Sequence, residues 1–231
     1  MPDSHHDSTE RPATPAPDAA ESTVAAAYDR WSETYDVDRN RTRDLDAQVV
    51  REAQLPVDGA TVVELGCGTG KNTAWLAERA RRVVALDLSA GMLARARAHV
   101  PSAHVTFVRG DVRDAWPVRD ASIDLVIGNL VLEHVASLAG VFAEAARVLR
   151  PGGTLFLCEL HPFRQWRGAQ AHFTDGTSGK TVHVTAHVHT VAEYVNGGLA
   201  AGLALRHLGE WLDDDAPAGT LPRLLSARFA R

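Results

Sequence analysis

Val62-Val63-Glu64-Leu65-Gly66-Cys67-Gly68-Thr69-Gly70 governs how the rest of this 231-residue chain is read. A short apolar strand runs into a turn with glycine at alternate positions, and Lys71-Asn72-Thr73-Ala74-Trp75-Leu76 continues as a helix. Alternate glycines let the backbone turn tightly and approach a ligand with no Cβ in the way. Strand, glycine turn and helix in that order suit a nucleoside-bearing ligand at the C-terminal edge of a parallel sheet. Beyond Gly70, Val83-Val84-Ala85-Leu86-Asp87 is a second apolar strand ending in an acid. A carboxylate at that position accepts from the two vicinal hydroxyls of a ribose.

The alternation continues outward from this stretch. Strands are predicted at 61–65, 82–86, 105–109, 123–128 and 154–159, with helices at 72–79, 90–99 and over most of 131–149. Ser89 is a good N-cap for the second helix, and Pro151-Gly152-Gly153 stops the third. Apolar strands separated by helices of this length give an α/β fold, a parallel sheet covered on both faces with right-handed crossovers. The order changes after Leu160. Residues 182–188 alternate as a half-buried antiparallel strand, paired with 169–173 across an Asp175-Gly176-Thr177-Ser178-Gly179 turn. A helix at 191–201 and two last strands, 203–211 and 224–230, form an antiparallel edge.

Composition sets outer bounds. Hydrophobic residues make up 45% of the chain and its formal charge is -5, values of an ordinary globule that argue against broad contact with nucleic acid. Arginines gather only locally, at Arg39, Arg41 and Arg43 and at Arg79, Arg81 and Arg82. The cysteines, Cys67 and Cys158, sit in the glycine turn and an apolar strand, which disfavours a disulfide or a zinc site. No apolar run is long enough to span a membrane, and cytoplasm is the expected location. Residues 1–22, rich in Pro, Asp, Ser and Ala, read as a disordered leader to a single domain at 23–231. Within it, 23–55 forms a helical cap carrying Tyr28, Trp31 and Tyr35 on one helix face. Those aromatics either pack as core or close the ligand cleft.

A glycine turn alone also suits a dinucleotide oxidoreductase. Here, however, the turn does not place two residues before its last glycine, and no Gly-Lys-Ser/Thr ending follows, since Asn72 stands where a magnesium-binding hydroxyl is wanted. The chain resembles the class I, seven-stranded, S-adenosyl-methionine-dependent methyltransferases. Glu64-Leu65-Gly66-Cys67-Gly68-Thr69-Gly70 is similar to the family's first motif, Asp87-Leu88 to its ribose-binding acid, and Gly110-Asp111-Val112 to its adenine segment. Asn129-Leu130-Val131-Leu132-Glu133-His134-Val135 matches the motif after strand four, and Arg150-Pro151-Gly152-Gly153-Thr154-Leu155 the turn before strand five. The resemblance implies a Rossmann-like three-layer fold, a seven-stranded mostly parallel sheet, and S-adenosyl-methionine as cofactor. It implies cofactor contacts at Tyr28, Trp31, Tyr35, Glu64, Gly66, Cys67, Gly68, Gly70, Asn72, Asp87, Leu88, Met92, Gly110, Asp111, Val112, Asn129, Leu130 and His134. Glu64 either meets the ammonium end of the cofactor or supports the glycine loop.

Methyl transfer from a sulfonium needs alignment, exclusion of water and, for some nucleophiles, a base. Acceptor selection falls to the cap and to an insert at 161–190 holding His161, His172, His183, His187 and His189. His183, His187 and His189 share one face of a straight strand but spread about 20 Å along it, too far for a three-His metal site, and no metal is expected. His161, at the end of strand five, and His134 are the candidate bases. Tyr28, His161, Arg164, Trp166, His187, His189 and Tyr194 are the candidate acceptor contacts. The compact insert favours a small-molecule acceptor over nucleic acid, and the chain is expected as a monomer or homodimer. A non-catalytic cofactor-binding module and a nicotinamide-dependent oxidoreductase are the competing readings.

Overall fold

A computed structural model describes residues 17–231. Helices α1 (Pro17–Trp31) and α2 (Arg41–Glu52) precede an alternating run of β1 (Thr61–Leu65), α3 (Lys71–Ala77), β2 (Arg82–Asp87), α4 (Ala90–His99) and β3 (Val105–Arg109). Then come β4 (Ile123–Asn129), a 3-10 turn at Leu132–His134, α5 (Ala139–Val148) and β5 (Leu149–Leu160). Short α6 (Pro162–Trp166), β6 (His172–Thr174) and β7 (Thr181–His183) lead to α7 (Val191–Ala200), β8 (Ala204–Trp211) and β9 (Leu224–Ala230).

Seven strands form one sheet in the order β3-β2-β1-β4-β5-β9-β8. It is parallel from β3 to β5, while β9 lies antiparallel to β5 and β8 antiparallel to β9. This is the expected mostly parallel sheet with an antiparallel edge pair. Alternate side chains of β1 enter opposite layers. Val63 and Leu65 pack with Val84, Val126 and Phe142, whereas Val62 packs with Val83, Leu125 and Leu76. Each such buried aliphatic side chain contributes roughly 1.5–3 kcal/mol, so the strand is held from both faces. The chain runs outward from β1 to β2 and β3, then returns to β4 on the other side of β1. That reversal opens a crevice beyond the carboxyl ends of β1 and β4.

Three local expectations change. The helix predicted over 131–149 is interrupted, with the 3-10 turn and the extended Val135 preceding α5. β5 starts before Pro151, because Ile123 pairs with Leu149 and Leu125 with Thr154, and the intervening residues loop out with Gly152 at φ 80°. The strand predicted at 182–188 ends at His183 in a separate two-stranded sheet with β6. Val184 still bonds the Ala171 carbonyl, but His187 N already bonds Glu133 O, so the chain has turned toward the sheet edge. Of the expected leader, residues 1–16 lie outside the described residues, and α1 takes in 17–22. No helix among the described residues is long and apolar enough to cross a membrane.

Candidate active site

A cavity of about 280 Å³ lies at the carboxyl ends of the first four strands. Gly66 and Gly68 line it after β1, Asp87, Leu88 and Met92 after β2, Gly110, Asp111 and Val112 after β3, and Asn129, Leu130 and His134 after β4. Tyr28 of α1, Tyr35 and His187 also line it. Gly66 and Gly68 have φ of 64° and 54°, a region that L side chains rarely adopt. A Cβ on Gly68 meets no atom within 4 Å, so its absence leaves open space, whereas one on Gly66 would stand 2.6 Å from Val131 Cγ2.

Asp87 holds this floor together. Its Oδ2 accepts from Gly68 N and its Oδ1 from Ser89 N, each at 2.8 Å. Burial pushes its carboxyl up to about 6, while these backbone donors pull the other way. Asp111, also buried, accepts from Arg113 N at 2.8 Å and from the Arg113 guanidinium at 2.9 and 2.6 Å. The cap is pinned at the same place: Asp29 Oδ1 accepts from Ser89 Oγ at 2.5 Å and from Gly91 N at 2.8 Å. Gly91 permits this approach, since a Cβ there would lie 2.7 Å from Ser32 Oγ and 3.1 Å from Asp29 O.

Several expected cofactor contacts are not on the cavity wall. Glu64 points into the α2 and α3 layer, 4% exposed, and accepts from Thr73 Oγ1 at 2.6 Å. Burial pushes its carboxyl up to about 8, against the pull of the Thr73 hydrogen bond. Cys67 is buried, its N bonds Leu86 O, and burial raises its thiol. Gly70 begins α3 at φ 89°, packed against Ala96 and Val100. Asn72 lies on the far side of α3 and donates to Asp46 Oδ2 at 3.1 Å. Trp31 stacks between Tyr28 and Phe173 at 5.6 and 5.3 Å, away from the first cavity.

The two candidate bases separate sharply. His134 lies on the wall with Nδ1 2.7 Å from Thr185 O and Nε2 2.8 Å from the Tyr28 hydroxyl. A carbonyl only accepts, so Nδ1 carries the ring proton and Nε2 accepts from Tyr28. Burial pushes the Tyr28 phenol well up, which keeps that hydroxyl a donor. His161 is fully buried and outside both cavities. Its Nδ1 caps α6 by accepting from Phe163 N at 3.2 Å, and its Nε2 faces Glu210 Oε1 at 3.0 Å. The expected base is a helix cap.

The remaining acceptor candidates divide as well. His187 is on the first cavity's wall, where burial, His189, His134 and Arg113 lower its pKa. His189 is buried and bonds Val135 O at 2.7 Å, and Tyr194 packs edge-on to it in the core. The straight-strand geometry that put His183, His187 and His189 on one face does not form, and His183 pairs with His172 instead. Trp166 stands 58% exposed against Phe163.

Arg164 lines a second, larger cavity of about 520 Å³ between the cap and the insert. Tyr28, Tyr35 and Leu130 belong to the walls of both cavities. Leu130 adopts φ 52°, an uncommon conformation for leucine, held by its N–H on Cys158 O at 2.9 Å. Sequence reasoning missed Arg113, Val131 and Thr185 on the first wall, and Arg43, Glu133, Phe173 and Arg223 on the second. Glu133 sits inside the quoted motif and the Arg39–Arg43 stretch stood out by charge, so both left a signal; Phe173 and Arg223 left none.

A family model described as a methyltransferase domain matches residues 63–157. An uncharacterized methyltransferase of Emericella nidulans is 31% identical over 216 residues, covering 78% of this chain and 75% of that protein. A trans-aconitate 2-methyltransferase of Azoarcus sp. is 44% identical over 106 residues, covering 45% of this chain and 40% of its own length. Among solved structures, an S-adenosylmethionine-dependent methyltransferase from Mesorhizobium loti aligns with a TM-score of 0.69 at 27% identity, over 80% of this chain and 96% of that one.

Proposed function

Since this chain belongs to the S-adenosyl-methionine-dependent methyltransferases, we propose that it transfers the cofactor's methyl group to a small-molecule acceptor seated in the second cavity. It is an enzyme of that class, which sets aside the nicotinamide and non-catalytic readings. The first cavity fits the cofactor. Gly68 leaves the floor open to close backbone approach, Asp87 offers a carboxylate to a ribose, and Asp111 and Val112 line the wall where the base would lie.

When bound, S-adenosyl-methionine supplies a methyl carbon activated by a sulfonium. The chain's own work is to hold both reactants in line and keep water out. Tyr28, Tyr35 and Leu130 form the partition at which the two occupants meet. That shared wall is the observation carrying the proposal. His134 fixes the Tyr28 hydroxyl there while Thr185 O orients the imidazole, so it serves as a positioning residue. The relative named for trans-aconitate supports an acceptor of metabolite size.

Calorimetry with S-adenosyl-homocysteine and mass detection of a product one methylene heavier in a small-metabolite extract test the proposal. Binding together with a methylated metabolite supports it. Methylation confined to protein or nucleic-acid fractions overturns it.

A further inference from the structure

We propose that the second cavity holds its acceptor by a carboxylate, and that a carboxylate oxygen receives the methyl group. This rests on the reading of the two cavities as cofactor and acceptor sites. Four arginines, Arg39, Arg43, Arg164 and Arg223, line the second cavity against two acids, Asp38 and Glu133. One of those acids is weakened, because burial raises the Glu133 carboxyl toward its neutral form. The balance of fixed charge is therefore cationic.

The arginines differ in what they have left to give. Arg223 pairs with Asp213 at 2.7 Å, and Arg164 reaches the same Asp213 at 4.0 Å while donating to the Leu221 and Pro222 carbonyls. Arg41 lies 3.7 Å from Asp213 too, so one acid stands among three guanidiniums. These groups supply field more than free donors. Arg43 is different. Its guanidinium lies 3.9 Å from the Tyr35 ring centroid, its Nη atoms bond Tyr35 O and Asp38 O, and its Nε is buried with no hydrogen-bond partner. An unpaired buried donor costs free energy until an acceptor reaches it. Arg39, on the same wall, has no side-chain partner among the described residues. The Arg39 guanidinium and the Arg43 Nε are the donors left unpaired on this wall, and a carboxylate, with two acceptor oxygens, suits such a pair.

The chemistry agrees with the partition's composition. A carboxylate is already a nucleophile at neutral pH and needs no base. Its oxygen forms the new C–O bond while the methyl–sulfur bond breaks, and sulfur keeps that electron pair as a neutral thioether. The carboxylate charge and the sulfonium charge cancel, and no proton is released. His134, with both nitrogens engaged, has no part to play as a base in this step.

The test uses the full chain saturated with S-adenosyl-homocysteine and titrated calorimetrically with benzoate, succinate and trans-aconitate, each against its carboxamide. At least one acid is expected to bind and its amide not to. Arg39→Gln and Arg43→Gln should each weaken that acid by about tenfold, as loss of a charge-assisted pair implies, with unchanged affinity for S-adenosyl-homocysteine. Arg39 is exposed and has no hydrogen bond or ion pair to lose among the described residues, so its variant reports on the ligand more than on folding. Turnover with the bound acid should yield an ester that mild alkali converts to methanol. Absence of binding by all three acids, equal binding of the amides, or unchanged acid affinity in both variants overturns the proposal. Failure of S-adenosyl-homocysteine itself to bind instead overturns the reading of the first cavity.

Discussion

The first cavity takes its floor from consecutive strand ends, at Gly66–Gly68, Asp87–Leu88, Gly110–Val112 and Asn129–Leu130, each a few residues long and each following its own strand. The second draws on Tyr28 to Arg43, on Leu130 and Glu133, on 160–174, and on His183 and Arg223, segments that meet only after the cap and insert have packed. Sheet topology delivers the first set to one edge whatever the loops do. Nothing so general assembles the second. A cavity on strand ends can thus keep its ligand while the cavity beside it is rebuilt for another acceptor.

Substitutions that separate the two regions sharpen this comparison. Asp87→Ala should have the largest effect, weakening S-adenosyl-homocysteine by about 100-fold in calorimetry as two charge-assisted acceptors are lost. Because burial pushes the Asp87 carboxyl up to about 6 and it must be ionised to accept fully, affinity should also fall as pH drops through that value. Unchanged affinity would remove the floor from cofactor binding and break the comparison at its base. His161→Ala should instead cost about 1–3 kcal/mol in chemical denaturation, with kcat of the folded fraction preserved, as a lost helix cap and buried pair predict. A collapse of kcat without loss of stability would return that residue to the chemistry.

The partition itself predicts coupling. Tyr28→Phe and His134→Gln should each cost about 1 kcal/mol or more, and the double variant should cost less than their sum, because the bond between Tyr28 and His134 is lost in either case. Strict additivity in a double-mutant cycle would show that the bond does not form in solution. The smallest expected effect on cofactor affinity, none, concerns Glu64, whose readout is stability instead. Its folded-state pKa near 8 exceeds the ordinary 4.5, so the native state binds the extra proton and stability falls as pH rises between those values. Glu64→Gln should flatten that slope in Tm measured from pH 5 to 9 and leave cofactor affinity unchanged.

Legibility in the sequence followed the same division. Gly68, Asp87, Asp111 and Asn129 fall on the first wall as expected from the sequence, because short-range turn geometry at a strand end is written in adjacent residues. Glu64, Cys67 and Asn72 share the motif's stretch of sequence but lie off that wall, toward the α2 and α3 layer, because a run of letters does not say which way each side chain points. His161 stands by sequence at the end of β5, where α/β sites open, but α6 starts directly after it and uses its ring as a cap. The arginines of the second cavity were visible as charge but not as a cluster. Arg223 lies 180 residues beyond Arg43 along the chain, and only the return of β9 beside β5 brings it to that wall.

The joint between Asp29 and the Ser89–Gly91 turn has a consequence for how such an enzyme drifts. No atom of Gly91 lines either cavity, yet a single methyl there would wedge α1 away from α4. Tyr28 rides on that helix, so the roof would lift over both reactants with every wall residue still in place. Water entry and a looser choice of acceptor would follow from a change invisible to any inspection of the active site alone.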